Sequence, residues 1–352
     1  MPPTPKRSAL RGALANYPFV LKNFKAYAGN LYRRRVLRSS VVVPYSAIFY
    51  ATHRCNLDCS YCTQKNPEVF SDELGTRDTI RLLRNIRKDV DTLLITGGEC
   101  TVRPDIEDLV AAARRDIGFR SVLVVTNGVL LDVRRGMLPH LNGLICSLDA
   151  ITHNSTEPQS KSAAVLRVID NLLMAREILP PQAITVSCVL EEWNLSEAER
   201  ILEFCAENGF VFSVQSALTN GKYPNFALLQ NPRYREFVER LIAMREQRTA
   251  RINGTPKLLR TLLLFEEFKC YPTMFPRIYP NGDVFYPCEV LRKIAGNVLE
   301  DGSIAAAFER GRKLYGEVPE CKNTCFLFGN VLSSYYVEDF WGLAGDTVRA
   351  RG

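Results

Sequence analysis

The stretch Arg54-Cys55-Asn56-Leu57-Asp58-Cys59-Ser60-Tyr61-Cys62 decides the reading of this chain. Its three cysteines follow C-x3-C-x2-C spacing, directly after an apolar, strand-like run, Ala47-Ile48-Phe49-Tyr50-Ala51. Three thiolates from one tight loop can hold three corners of a cubane iron–sulfur cluster. Ordinary clusters take four cysteines, so a loop that offers three leaves one iron open to a ligand that is not protein. The competing reading is a zinc knuckle. Structural zinc wants a closed four-ligand site, and the fourth ligand on offer, His53, lies two residues before Cys55, an awkward bite.

Bulk properties bound the answer. A chain of 352 residues can bury a full core and carry an appendage. Its 46% apolar and 24% charged content is ordinary for a soluble globular protein. No apolar run approaches the ~20 residues that span a bilayer, and Met1-Pro2-Pro3-Thr4-Pro5-Lys6-Arg7 lacks the apolar core of a secretory signal. Eleven cysteines without an export signal argue for a reducing, cytoplasmic setting, with metal ligands or buried thiols in place of disulfides. Cys146, Cys188 and Cys205 sit in apolar periodic runs and read as small core residues.

From Ala47 onward, short β-branched runs alternate with helical patterns, the sign of a parallel sheet with crossover helices. Strands are expected at 47–51, 92–96, 121–125, 143–148, 184–190 and 210–214. Helices are expected at about 77–88, 105–115, 162–179 and 196–208, the last with Glu197 and Glu199 in its first turn and Gly209 after it. Polar motifs fall where these strands end. Gly97-Gly98-Glu99 follows the second strand; its glycines allow close backbone approach, and its carboxylate can pair with an ammonium group. Thr126-Asn127-Gly128 ends the third strand and Ser147-Leu148-Asp149 the fourth, while Asn194 follows the fifth and Gln215 and Ser216 end the sixth. For Asn194, Gln215 and Ser216, turn or cap roles compete with ligand binding.

The cysteine loop, with Gly97-Gly98-Glu99 beyond it, closely resembles the radical S-adenosylmethionine (SAM) superfamily. The resemblance implies an α/β fold, a partial (β/α)6 TIM-type barrel whose sites collect at the C-terminal strand ends. It implies that Cys55, Cys59 and Cys62 hold a 4Fe–4S cluster whose open iron is chelated by SAM. Reduction of that cluster cleaves SAM to a 5′-deoxyadenosyl radical, which abstracts hydrogen from an unactivated carbon. By the same resemblance Gly97, Gly98 and Glu99 bind the SAM amino group. Asn127, Ser147, Asp149 and Asn194 make further SAM contacts, and Tyr61 packs near the adenine. The family usually has proline after the Gly-Gly-Glu, where this chain has Cys100, read here as a spectator.

The C-terminal third repeats the cysteine theme. After two helical runs, about 232–245 and 256–268, come Cys270, an Asn281-Gly282 hairpin signal, Cys288, a Gly296-Asn297-Val298 run, and the pair Cys321 and Cys325. This resembles the SPASM/twitch extension of radical SAM enzymes, a small Cys-rich α+β appendage. Two departures matter: Gly282 to Cys288 is one residue longer than usual, and the late pair is C-x3-C. A full SPASM domain needs about seven cysteines for two auxiliary clusters, whereas four hold one. Four cysteines also make a closed zinc site, and both metals stay open on the residues alone. The expected organisation is an arm (1–45), a core barrel (46–230), a helical linker (231–268), the auxiliary-cluster region (269–330) and a tail (331–352).

The formal charge of +7 is uneven: from Met1 to Leu57 there is no Asp or Glu. Val20, Phe24, Tyr27 and Leu31 recur at helical spacing beside Lys22, Lys25 and Arg33-Arg34-Arg35. Three readings stand: an interfacial helix on an anionic membrane, a cap packed on the barrel, and a mitochondrial targeting arm. No nucleic acid is expected, for lack of a stacking motif or zinc-finger spacing. The expected partners are a reductant such as flavodoxin or ferredoxin and a substrate. That substrate is read as lipid-like, isoprenoid or another small biosynthetic intermediate, with a ribosomally made peptide as the alternative. A SAM- and cluster-binding protein without catalysis is the reading from another class.

Overall fold

The computed structural model describes residues 27–38, 41–59, 61–62, 72–152, 164–317 and 325–339. Its centre is a run of parallel strands: β1 (Ala47–Tyr50), β2 (Thr92–Thr96), β3 (Ser121–Thr126), β4 (Gly143–Ser147), β5 (Ile184–Leu190) and β6 (Val211–Ser216). Each pairs in parallel with the next, in the spatial order 6-5-4-3-2-1, an open sheet that does not close on itself. Outside it lie α1 (Thr76–Arg87), α2 (Ile106–Ala111), α3 (Val165–Arg176) and α4 (Leu195–Asn208). The α/β partial barrel expected from the sequence is the fold observed.

Alternation within the strands explains the layering. In β5, Ile184, Val186, Cys188 and Leu190 are fully buried, while Thr185, Ser187 and Val189 between them are half-buried. The first set packs into the main core with Ile201, Leu202 and Cys205 of α4. Successive strand side chains face opposite ways, and the half-buried set turns to the concave side, where Val189 lines a pocket. Cys146, Cys188 and Cys205 are core thiols, as their periodicity suggests, and burial pushes Cys205 up to about 12.

Some boundaries differ from expectation, each for a local reason. The helix expected over 105–115 is α-helical to Ala111 and then widens into a π-turn over Ala112–Asp116. The crossover from β3 to β4 uses short turns, including Arg135–His140 with Pro139 inside it, in place of a helix. The helix α4 ends, as read, on Gly209 in the left-handed region at φ 71°.

Two helices, α5 (Pro232–Gln247) and α6 (Pro256–Leu264), lead into the C-terminal third. Its strands β7 (Arg277–Ile278), β8 (Asp283–Phe285) and β9 (Ile294–Asn297) extend the same sheet, with β7 parallel to β1 and the next two antiparallel. Gly282, at φ 92°, makes the hairpin that the Asn-Gly pair signals. Helices α7 (Val298–Asp301), α8 (Ile304–Tyr315) and α9 (Phe328–Glu338) complete the chain. The Cys-rich extension therefore grows out of the open edge of the barrel and shares its core.

Of the N-terminal arm, residues 27–35 form a helix, and Val20 and Phe24 lie outside the described residues. Tyr27 and Leu31 are half-buried, Asn30 is buried and accepts from Val43 N at 2.8 Å, and Arg34 pairs with Glu338 of α9 at 3.1 Å. This part of the arm packs on the protein. No described helix is long and apolar enough to cross a membrane.

Candidate active site at the strand ends

A pocket with about 1030 Å³ of empty space, open mouth included, lies at the C-terminal ends of the parallel strands. Its walls include Thr96 of β2, Val125 and Thr126 of β3, Ser147 of β4, Val189 of β5, and Gln215 and Ser216 of β6. Cys55, Cys59 and Cys62, on the loop that follows β1, face the same space with Tyr61, Gly98, Glu99 and Asn127. Five strand ends and the cysteine loop that follows β1 thus share one cavity.

The thiols sit at its mouth. Cys55 is exposed, and Cys59 and Cys62 are half-buried. Partial burial, with the charges of Glu99, Cys62 and Cys59 behind it, raises the Cys55 thiol, while a bond from Leu57 N to its sulfur at 3.4 Å opposes the rise. Among the described residues, no three Cys, His, Asp or Glu side chains already stand at metal-holding separations. The donor set nevertheless fits: three neighbouring thiols open onto a cavity whose far wall offers a carboxylate and two polar side chains. His53 turns elsewhere, stacking on Tyr279 at 5.6 Å, and burial lowers its pKa.

Gly97 and Gly98 serve the loop itself. A Cβ on Gly98 would meet Arg54 O at 2.5 Å and His53 O at 2.6 Å, and one on Gly97 would meet Thr52 O at 2.5 Å. What comes close to these glycines is the backbone of the cysteine loop, bonded through Gly98 N to Thr52 O and Glu99 N to Arg54 O, both at 2.8 Å. On the Cβ side, then, it is the loop backbone that these glycines admit, while Gly98 also lines the cavity. Glu99 is 2% exposed. Its Oε1 accepts from Thr101 N (3.0 Å), Thr101 Oγ1 (2.6 Å) and Thr126 Oγ1 (2.7 Å), and its Oε2 accepts from Asn127 N (2.6 Å). Cys100 is fully buried in the main core; its thiol donates to Val125 O at 3.3 Å, and burial holds its pKa well above the ordinary value.

The other polar residues read from the strand ends divide. Asn127 donates to Asn56 of the cysteine loop at 2.8 Å. Asp149 accepts from Tyr61 of that loop and from Val189 N (2.9 Å). Both tie the loop to the barrel. Ser147 lines the cavity. Asn194 is fully buried and bonds Asp149 O (3.2 Å), Val189 O (2.8 Å) and Glu191 N (2.8 Å), a set of contacts that joins β5 to the start of α4. Two residues at this site escaped the motif reading. Glu73 and Arg103 bond the backbone on either side of the cysteine loop. Their one sequence signal is position: Arg103 lies four residues past Glu99, and Glu73 just before α1.

In the C-terminal third, Cys270, Cys288 and Cys325 are described and Cys321 lies outside the described residues. Burial raises the Cys288 thiol, and Cys325 is near enough to add to the rise by its charge. Helix α9 faces two of these sulfurs: Asn330 Nδ2 donates to Cys325 at 3.1 Å, and Ser333 Oγ lies 4.0 Å from Cys270. Buried Arg277 bonds Asn330 Oδ1 at 3.3 Å and pairs with Glu289, next to Cys288, at 3.2 Å. A second cavity, lined by Tyr61, Cys62, Lys222, Glu289, Val290 and Arg292, runs between the two cysteine regions.

The fold and this loop are those of a radical SAM domain: residues 49–205, a little under half of the chain, match the Radical SAM superfamily. Such proteins use a 4Fe–4S cluster and SAM. Among curated proteins, the chain is 28% identical to human "Molybdenum cofactor biosynthesis protein 1" over 222 residues, 57% of this chain and 34% of that protein. It is 26% identical to the "GTP 3',8-cyclase" of Clostridium perfringens over 221 residues, 59% of this chain and 66% of that enzyme. The chain therefore spans about a third to two thirds of the length of these relatives. Among solved structures, Streptococcus suis SuiB bound to S-adenosylmethionine superposes with a TM-score of 0.59 at 20% identity, covering 80% of this chain and 69% of SuiB. SuiB has also been solved bound to its precursor peptide SuiA. These likenesses support the fold, extension included.

Proposed function

We propose that the chain is a radical SAM enzyme that cleaves SAM reductively and removes hydrogen from a carbon of an anionic small molecule. The observation that carries the first half is the shared cavity, in which the three thiols face Glu99, Asn127 and Ser147 across the strand ends. Cys55, Cys59 and Cys62 would hold a 4Fe–4S cluster there. That cluster, with SAM bound, supplies one-electron chemistry and hydrogen abstraction, the electron coming from an external reductant. Glu99 offers Oε2, which carries one protein donor against three on Oε1, to the SAM ammonium. Tyr61, held by Asp149, stands at the wall shared by the two cavities.

The substrate reading rests on the second cavity, which shares Tyr61 and Cys62 with the first and carries Lys222 and Arg292. Two cations beside the radical site suit a phosphate- or carboxylate-bearing molecule better than a lipid tail. The names of the curated relatives make GTP the first compound to try. A peptide, which SuiB was solved holding, is the second reading. Cys270, Cys288 and Cys325, with Cys321, would hold an auxiliary cluster, and zinc there is an outcome that metal analysis separates.

Anaerobic reconstitution followed by iron and sulfide analysis tests the first half. The expected result is about two clusters per chain, falling to about one when Cys55, Cys59 and Cys62 are all replaced by Ala. Full iron in the triple variant would refute the assignment. For the second half, replacing Lys222 and Arg292 by Glu should abolish GTP turnover while SAM cleavage without substrate persists. If GTP is consumed at the same rate by both proteins, the cationic wall has no part in binding.

A further inference from the structure

The three-cysteine loop leaves the barrel after Ala51 and returns at Glu73, and two side chains outside the cysteine motif hold those two stems together. Glu73 reaches across from the returning stem: Thr52 Oγ1 donates to its Oε1 at 2.6 Å and His53 N to the same oxygen at 2.8 Å. Its other oxygen meets Arg54 Nη2 at 3.4 Å, but that guanidinium is 63% exposed, and exposed pairs contribute little. Burial would raise the Glu73 carboxyl; these bonds outweigh it and hold the group below its usual range.

Arg103 closes the stems from beneath. It is 4% exposed, and a buried charge persists where its donors are matched. Nη1 donates to Ala51 O at 2.8 Å on the departing stem, and Nη2 to Leu74 O at 2.9 Å on the returning one. Asp105 pairs with its Nε at 2.6 Å and is itself fixed by Thr76 Oγ1 at 2.6 Å. Leu74 N donates to Pro280 O at 3.1 Å, which carries the arrangement to the hairpin of the C-terminal third. The short turn that carries Arg103 begins at Glu99, so one turn presents a carboxylate to the cavity and a guanidinium to the loop stems.

We infer that Glu73 and Arg103 are positioning residues, a two-sided clamp that fixes where the three thiols converge and so how firmly the loop holds its cluster. The inference rests on the radical SAM reading of the loop. Its physical content is entropic. Three ligands on a long loop bind a metal well when the loop ends are already fixed, because the closure cost is then met before the metal arrives.

The test uses the full-length chain, reconstituted anaerobically. It measures the rate at which iron passes to an excess of ferrous chelator, with the triple Cys→Ala protein giving the background of the C-terminal site. Glu73→Ala should lose the loop iron at least about tenfold faster, since it leaves two short donors to a carboxylate unmatched. Melting of its apo form should stay within a few degrees of wild type, and the change that SAM makes in the reduced cluster's paramagnetic resonance spectrum should weaken. Glu73→Gln retains an acceptor for Thr52 and His53 and gives up the exposed Arg54 pair, so it should return the rate to within about threefold of wild type. A wild-type rate in Glu73→Ala, or equal loss from the Ala and Gln proteins, would overturn the clamp. Should Glu73→Ala not fold, Thr52→Val removes one of the two short bonds and must accelerate iron loss; no acceleration overturns the clamp as well. A wild-type chain that takes up no iron fails the radical SAM reading first, and the clamp with it.

Discussion

Replacing Glu99 by Gln is a sharper probe here than its similar shape suggests. The Oε1 position receives three donors and the Oε2 position one, in a group that is 2% exposed. A glutamine must put its carbonyl where three donors converge, which turns its amide N–H against Asn127 N–H, 2.6 Å from the replaced oxygen. An unmatched buried donor costs about 1–3 kcal/mol. On the proposed role of Oε2, loss of a charge-assisted bond to the SAM ammonium would cost a further ~1.5–3 kcal/mol in binding. The apo variant should therefore melt several degrees lower. Its SAM dissociation constant, measured anaerobically by titration calorimetry, should rise at least tenfold while the cluster's visible absorbance persists. A variant that melts lower but binds SAM as wild type does would make Glu99 a structural carboxylate and place the SAM anchor elsewhere. Unchanged melting would refute the hydrogen-bond argument itself.

Other expectations follow from the same geometry. Gly98→Ala drives a Cβ to 2.5 Å from Arg54 O, a backbone atom that cannot swing aside. It should cost about 1–3 kcal/mol and reduce iron uptake, read by melting and metal analysis together. Burial raises Cys100 and pushes Cys205 up to about 12, so both thiols stay protonated in the fold at pH 8. Iodoacetamide should leave them unmodified in native apoprotein while labelling exposed Cys55, as peptide mass spectrometry would show. A raised thiol contributes stability that is full below the unfolded value of about 8.5 and is lost as pH rises toward its folded value. Melting should accordingly fall with pH above about 8.5, and less so in Cys205→Ala.

The chemistry of this chain was legible where it depends on short-range spacing. The cysteine loop, the Gly-Gly-Glu after β2 and the six strands all rest on local pattern, and the strands hold because β-branched runs such as Ile184–Leu190 bury every second side chain. Roles that depend on tertiary contact were not legible. The two glycines read as room for a ligand; that they also admit the loop backbone from Thr52 to Arg54 on their Cβ side has no local signal. Asn194 sits at a strand end like a ligand-binding residue, but it is fully buried and bonds the backbone of Asp149, Val189 and Glu191 and the thiol of Cys188. Glu73 and Arg103 carry no motif, because what they recognise is a pair of backbone carbonyls, a backbone amide and a hydroxyl brought together by the fold. The extension of the sheet beyond β1 was likewise hidden, since a two-residue strand such as Arg277–Ile278 has no period to read.

The most direct test of the central claim is product analysis. Anaerobically reconstituted protein is mixed with SAM and dithionite, without substrate, and 5′-deoxyadenosine is quantified by chromatography and mass spectrometry. The account predicts slow formation of 5′-deoxyadenosine by the wild-type chain and none by the protein in which Cys55, Cys59 and Cys62 are all Ala. Cluster-loaded wild-type protein that binds SAM yet makes no 5′-deoxyadenosine would contradict it, leaving a SAM- and cluster-binding protein without radical catalysis.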